Sequence, residues 1–214
     1  MASRVVPERW LPQIRYEVVG PSDTAQAWTM RRDPILIVPY DPAWPEAFAA
    51  ARDRIEPVLA PWLVRPVEHM GSTSVPGLPA KPIVDMLAVV RDIGDVPAAV
   101  SGLEAANWVP APEPGDEAER RLSFCSPTVA NRTHHLHVVE ERLPDWPSWL
   151  AFRDYLRSHP GLAGAYAALK RELAAWHGAD PNQRDAYRQG KAAFIREVTF
   201  IALNGPSNLD GSSA

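Results

Sequence analysis

Two apolar runs joined by a loop of small residues constrain this chain more than any other feature. Val64 to Met70 (VRPVEHM) predicts a short strand, Gly71-Ser72-Thr73-Ser74 a tight turn, and Ile83 to Val90 (IVDMLAVV) a second strand that is apolar on both faces. A run of that kind belongs inside a sheet. Asp85 is its one charged residue, and a carboxylate buried there needs a cation, a metal ion or hydrogen-bond donors. The turn ahead of it offers backbone N–H groups and hydroxyls without bulk, as close approach to a phosphate requires.

The remaining pattern predicts a mixed strand-and-helix half followed by a helical half. Tyr40-Asp41-Pro42 starts a helix with Phe48, Ile55 and Leu59 on its apolar face. Asp95 to Trp108 predicts a second helix, and the Pro/Glu/Gly stretch Val109 to Glu117 an exposed loop suited to a lid or rim. Arg121 to Ser126 and His135 to Glu140 predict an antiparallel pair. Beyond Asp145, apolar residues recur at helical spacing through Ile201. The fold class expected is α+β, one mixed sheet flanked by helices, with a helical C-terminal half. Residues 1–34, carrying Trp10 and Trp28, are expected to be an extension packed on the domain of 35–204, and 205–214 a disordered tail.

Thr133-His134-His135-Leu136-His137-Val138-Val139-Glu140 places three of the chain's six histidines within four positions. On a strand, His135, His137 and Val139 share one face, and His134, Leu136 and Val138 the other. Two imidazoles set against Asp85 of a neighbouring strand would make an N/N/O site for zinc, manganese, iron or nickel, and one imidazole could serve as a general base. His69, just before the glycine turn, is a further candidate ligand. The same histidines would equally suit hydrogen bonds to backbone carbonyls at a sheet edge.

For an anion pocket the candidates are Gly71, Ser72, Thr73 and Ser74, with Lys81 in the Gly/Pro loop and Arg153 near a helix start. Lys170, Tyr187 and Lys191 are added from the helical half, the last two being four apart on one helix face. Net charge is −4 and no basic run is present, so a general nucleic-acid or membrane-surface binder is excluded and a small anionic or phosphorylated partner is expected. Cys125 is the single cysteine, which rules out an internal disulfide and fits a small core residue in a reducing compartment. The N-terminal residues lack an apolar signal core, and no stretch approaches a membrane span, so the expected location is cytoplasmic.

The motifs HMGSTSVPGLPAKPIVDM, HHLHVVE, FRDYLRSHP, YAALKREL and Tyr187-Arg188-Gln189-Gly190-Lys191, in that order from about Val38 to Leu203, resemble the GrpB (UPF0157-type) family. The resemblance implies a fold similar to polymerase-beta-type nucleotidyltransferases, with an active site at the sheet edge, and a family that also occurs fused to dephospho-CoA kinase. Gly71-Ser72 and Asp85 match the glycine turn and first carboxylate of such enzymes by position. Leu87 stands where the second carboxylate belongs, and histidines occupy the strand expected to bring the third. Two-metal phosphoryl transfer needs several oxyanions, whereas an Asp-plus-His set favours a single transition-metal ion over magnesium.

The expected function is therefore metal-assisted group transfer on a small anionic substrate, with Asp85, His135 and His137 as catalytic or metal-binding residues. The reaction is either nucleotidyl transfer or a divergent one such as cyclisation; the expected cofactor is a divalent ion (zinc, manganese, iron, nickel or magnesium), and a nucleotide is a further candidate. The alternative is a non-catalytic nucleotide- or CoA-binding module.

Overall fold

A computed structural model describes residues 34–205 apart from 114 and 117–119. The extension expected at the N-terminus and all but the first residue of the tail lie outside the described residues. In chain order, the elements are α1 (Trp44–Leu59), β1 (Glu68–Met70), β2 (Val84–Val90), α2 (Val100–Ala105), β3 (Val109–Pro110), β4 (Arg121–Ser126), β5 (His134–Glu140), α3 (Trp146–Ser158), α4 (Pro160–His177) and α5 (Arg184–Asn204). The five strands form one mixed sheet in the order β1-β2-β5-β4-β3, in which only β2 and β5 run parallel.

The α1 helix begins where Asp41 Oδ1 accepts the Ala43 N–H at 2.9 Å, with proline in its first turn. Its buried residues Trp44, Ala51, Ile55 and Leu59 form one stripe. That stripe packs on Val84, Met86, Ala88 and Val90 of β2 and on Leu136 and Val138 of β5. On the opposite face Leu87, Val89 and Val139 pack with Leu150 of α3, and α4 and α5 close on α3 through Leu156, Tyr166, Ala167 and Val198. Both faces of β2 are thus covered, as its near-continuous apolar run requires. Cys125 is a fully buried strand residue.

Three expected elements have different bounds. The strand predicted over Val64–Met70 is reduced to Glu68–Met70, because Leu63 and Val64 bridge to Val90 and Val89 ahead of Pro66. The helix predicted over Asp95–Trp108 is a 3-10 segment, Ile93–Ala99, followed by the short α2. Asp92 caps the Gly94 N–H at 2.8 Å, and Pro97 lacks the N–H that a continuous α-helix would use. The exposed stretch predicted from Val109 starts instead as β3, paired with Phe124 and Cys125.

Candidate metal centre and anion pocket

The parallel register of β2 and β5 sets Asp85 opposite His135 and Leu87 opposite His137. Side-chain alternation then sends Asp85, His135 and His137 to one face. One ligand atom from each lies within 4.8 Å of the other two. His135 Nδ1 is 3.8 Å from Asp85 Oδ1, and the two imidazole centroids are 4.2 Å apart.

A second carboxylate reaches this cluster from the loop after β3. Glu113 Oε1 lies 3.7 Å from His135 Nε2. The loop is held by buried Asp116, whose two oxygens accept the Glu113 N–H and the Arg121 Nε–H, each at 2.7 Å. These bonds hold Glu113, which lines the cavity. Glu113 was missing from the residues singled out in the sequence, since the only signal there was a Pro/Glu composition that equally describes a solvated loop.

The cavity that Asp85, Glu113, His135 and His137 line, about 260 Å³ in volume, is also lined by Lys81, Lys170, Tyr187, Arg188 and Lys191 and by Met70, Ser72 and Thr73. Burial lowers the Lys170 ammonium to about 7, helped by the like charges of Lys191 and Arg171. It lowers Lys191 to about 8, aided by Arg188 and opposed by Asp85. Burial also pushes the Tyr187 phenol up to about 12. Lys170 Nζ donates to the Pro79 carbonyl at 2.5 Å and stands over the Tyr166 ring.

The Asp85 side chain keeps 32% of its surface open to the cleft. Lost solvation of its carboxylate nevertheless pushes the pKa up to about 6, with Glu113 adding to the rise and Lys81 and Lys191 opposing it. His137 is held down at about 4, mainly by desolvation, so the ring is neutral at pH 7 and able to bind a metal ion. Its buried Nδ1 has no hydrogen-bond partner among the described residues, nor has Ser123 Oγ, the residue paired with it across β4. Two such polar atoms on one face have donor and acceptor capacity suited to a water, ion or ligand.

Ser72–Ser74 forms a single 3-10 turn. Gly71 adopts φ 68 and ψ −170, a conformation available to glycine and to little else, and any Cβ there would run into the Asp85 carboxylate. Ser72 borders the cavity and hydrogen-bonds Tyr166. The Thr73 hydroxyl bonds out of the turn to His69 Nε2 of β1 at 3.0 Å, and Ser74 Oγ donates to the Gly71 carbonyl at 2.6 Å.

Two candidates fall outside the cluster. His69 pairs with Met86 and therefore occupies the far face of the sheet, stacked on Phe48 at 4.8 Å. Arg153 donates from Nη1 to Glu68 Oε2 (2.9 Å) and the His69 carbonyl (2.8 Å), and from Nε and Nη2 to Asp154. Nη1 thus ties α3 to β1, while Nε and Nη2 are taken up by the neighbouring Asp154 on α3 itself. Arg153→Ala should lower stability by about 2 kcal/mol, the cost of leaving the His69 carbonyl and the half-buried Glu68 carboxylate unmatched. Phosphate affinity at the Lys170/Lys191 cavity should stay as it was. Denaturant unfolding and phosphate calorimetry check this, and a weaker phosphate site in a stable variant would return Arg153 to the anion pocket.

The GrpB protein family model matches residues 34–200. The chain is 37% identical over 181 residues to UPF0157 protein YqkA of Bacillus subtilis, covering 83% of this chain but only about half (51%) of that relative. It resembles the crystal structure of conserved protein GrpB from Enterococcus faecalis at a TM-score of 0.68 and 34% identity, over 78% of this chain and 97% of that one. A more distant similarity, 28% identity, extends to a dephospho-CoA kinase of Mycolicibacterium paratuberculosis, over 74% of this chain and 46% of the kinase. No helix among the described residues is long and apolar enough to cross a membrane. With the family model, sequence identity and shared α+β fold in agreement, this chain belongs to the GrpB family.

Proposed function

We propose that this GrpB protein is a metal-dependent enzyme that transfers or closes a group on a small anionic substrate, using a scaffold like that of the nucleotidyltransferases. The observation that carries this reading is the convergence of Asp85, His135 and His137 within 4.8 Å in a cavity that three lysines also line. Two imidazoles and one carboxylate suit a single zinc, manganese, iron or nickel ion better than the oxygen-rich shell of magnesium. The orphaned Nδ1 of a neutral His137 fits such an ion. When bound, the metal would polarise a phosphoryl or carbonyl oxygen, or lower the pKa of a water.

The protein groups divide the remaining work. Lys81, Lys170 and Lys191 neutralise and orient the anionic group of the substrate. Glu113, facing His135 across the cavity mouth, takes a proton from the attacking hydroxyl or amine. The Asp116–Arg121 pair holds Glu113 in place for that role.

The test combines metal analysis with anion titration. Elemental analysis should find near-stoichiometric transition metal that is lost in His137→Ala. Inorganic phosphate titrated by calorimetry in buffers of different ionisation enthalpy should show proton uptake between pH 7 and 9. In that window Lys170 and Lys191 are partly neutral in the free protein, and an incoming anion favours their charged forms. Phosphate affinity should accordingly fall as pH rises through 7 to 9. Absence of both metal and phosphate binding would move the chain to the class of non-catalytic nucleotide- or CoA-binding modules.

A further inference from the structure

Beside the cavity lies a larger groove, about 640 Å³, between α3 and α5. Its floor is apolar and buried, formed by Val75, Leu156 and Tyr166, and it opens at Phe200 and Leu203, each 56% exposed. Met70, Ser72 and Arg188 line both the groove and the cationic cavity. The two spaces therefore share a wall, with Gly71 and the turn that follows it at the junction.

We infer that the groove is the subsite for the apolar body of the substrate, whose anionic head lies in the Lys170/Lys191 cavity. The substrate class is thus a small amphipathic acid: a phosphate or carboxylate carrying an aliphatic or aromatic portion. Three observations favour this occupant. The lysines line the cavity and none lines the groove, whose floor is apolar although Arg153, Arg188 and Arg196 also border it, so a ligand spanning both spaces can match each part. The groove's volume is that of a pocket for a drug-sized molecule, and the cavity alone is too small to hold one. A monomer surface that leaves two large apolar side chains exposed at the mouth of a lined groove marks a binding site rather than scattered surface hydrophobes. This inference rests on the anion-pocket reading above and adds to it the identity of the part that is not the anion.

The experiment compares inorganic phosphate with decyl phosphate, kept below its micellar concentration, by calorimetry on the full chain and on Ala192→Trp. Ala192 is an exposed α5 residue lining the groove and absent from the cationic cavity, so the larger side chain fills the groove without burdening the core. Decyl phosphate should bind about a hundredfold tighter than inorganic phosphate, since burying about four methylenes suffices for that ratio. In Ala192→Trp the ratio should collapse towards one. Equal affinities in the parent chain would overturn the groove assignment while leaving the anion pocket standing. A preference undiminished in the variant would place the alkyl chain elsewhere and overturn it as well. If neither phosphate binds, the anion pocket and the groove assignment fail together. Sedimentation velocity supplies the last arm: a dimer that Ala192→Trp dissociates would make the groove an interface between two copies, which also overturns the assignment.

Discussion

Asp85→Asn is expected to strip the purified protein of transition metal while leaving the melting temperature of the metal-free chain unchanged or raised. Asp85 supplies the one carboxylate of the proposed three-residue ligand set, and an amide oxygen would replace its charge with a far weaker donor. Metal affinity should fall at least about 100-fold, the upper end of what loss of an outer partner to a ligand costs. Stability should move the other way. Folding raises the Asp85 pKa from its ordinary 3.8 to about 6, so the folded state binds this proton more tightly than the unfolded chain does. The contribution is favourable below pH 4 and is lost as pH rises through 6, which leaves a desolvated carboxylate in the metal-free protein at pH 7. Asparagine removes that penalty. Elemental analysis and thermal melts after chelation check both halves. A variant that keeps its metal, or one that unfolds, would show that Asp85 is held for structure and would remove it from the metal centre.

The second large effect is expected at Gly71. Gly71→Ala should cost about 2 kcal/mol through the backbone alone, because φ 68 with ψ −170 is a region that side chains exclude. The new methyl must also displace the Asp85 carboxylate, so the metal should be lost together with stability. Gly77→Ala is the matched control. Gly77 also has positive φ, at 76, but a Cβ there meets nothing within 4 Å. It should show a stability loss of about 1 kcal/mol with full metal content. Urea unfolding beside metal analysis separates the two. Equal metal content in both variants would break the link between the glycine turn and Asp85.

Much of this arrangement was legible from local pattern. Alternation alone put His135, His137 and Val139 on one face, and the isolation of Asp85 in an apolar run marked it as the residue to explain. The helical stripes of α1 and of α3 to α5 followed from their spacing. What escaped were facts fixed by pairing across the chain. His69 adjoins the glycine turn, yet the register Glu68 with Leu87 and His69 with Met86 sends it to the far face. Nothing within the three residues of β1 reveals that parity. Arg153 has the chemistry of an anion clamp, but Glu68, far from it in the chain, claims its guanidinium. Glu113 is the converse case: a loop residue of unremarkable composition that becomes part of the site only because Asp116 and Arg121 bind each other. The break in the helix predicted from Asp95 had a local cue in Pro97, outweighed by the apolar period around it.

The parallel pairing of β2 with β5 has a consequence for how this protein would respond to its ion. Asp85 and His135 face each other only after α2, β3 and β4 have been laid down between them, so no short peptide of this chain can assemble the three donors. Binding is then coupled to global folding rather than to closure of a hairpin. Added metal should raise the unfolding free energy of the whole domain by the logarithm of its concentration over its dissociation constant. A cell that starves such a protein of metal would lose activity and, by the same linkage, leave more of the chain open to proteolysis.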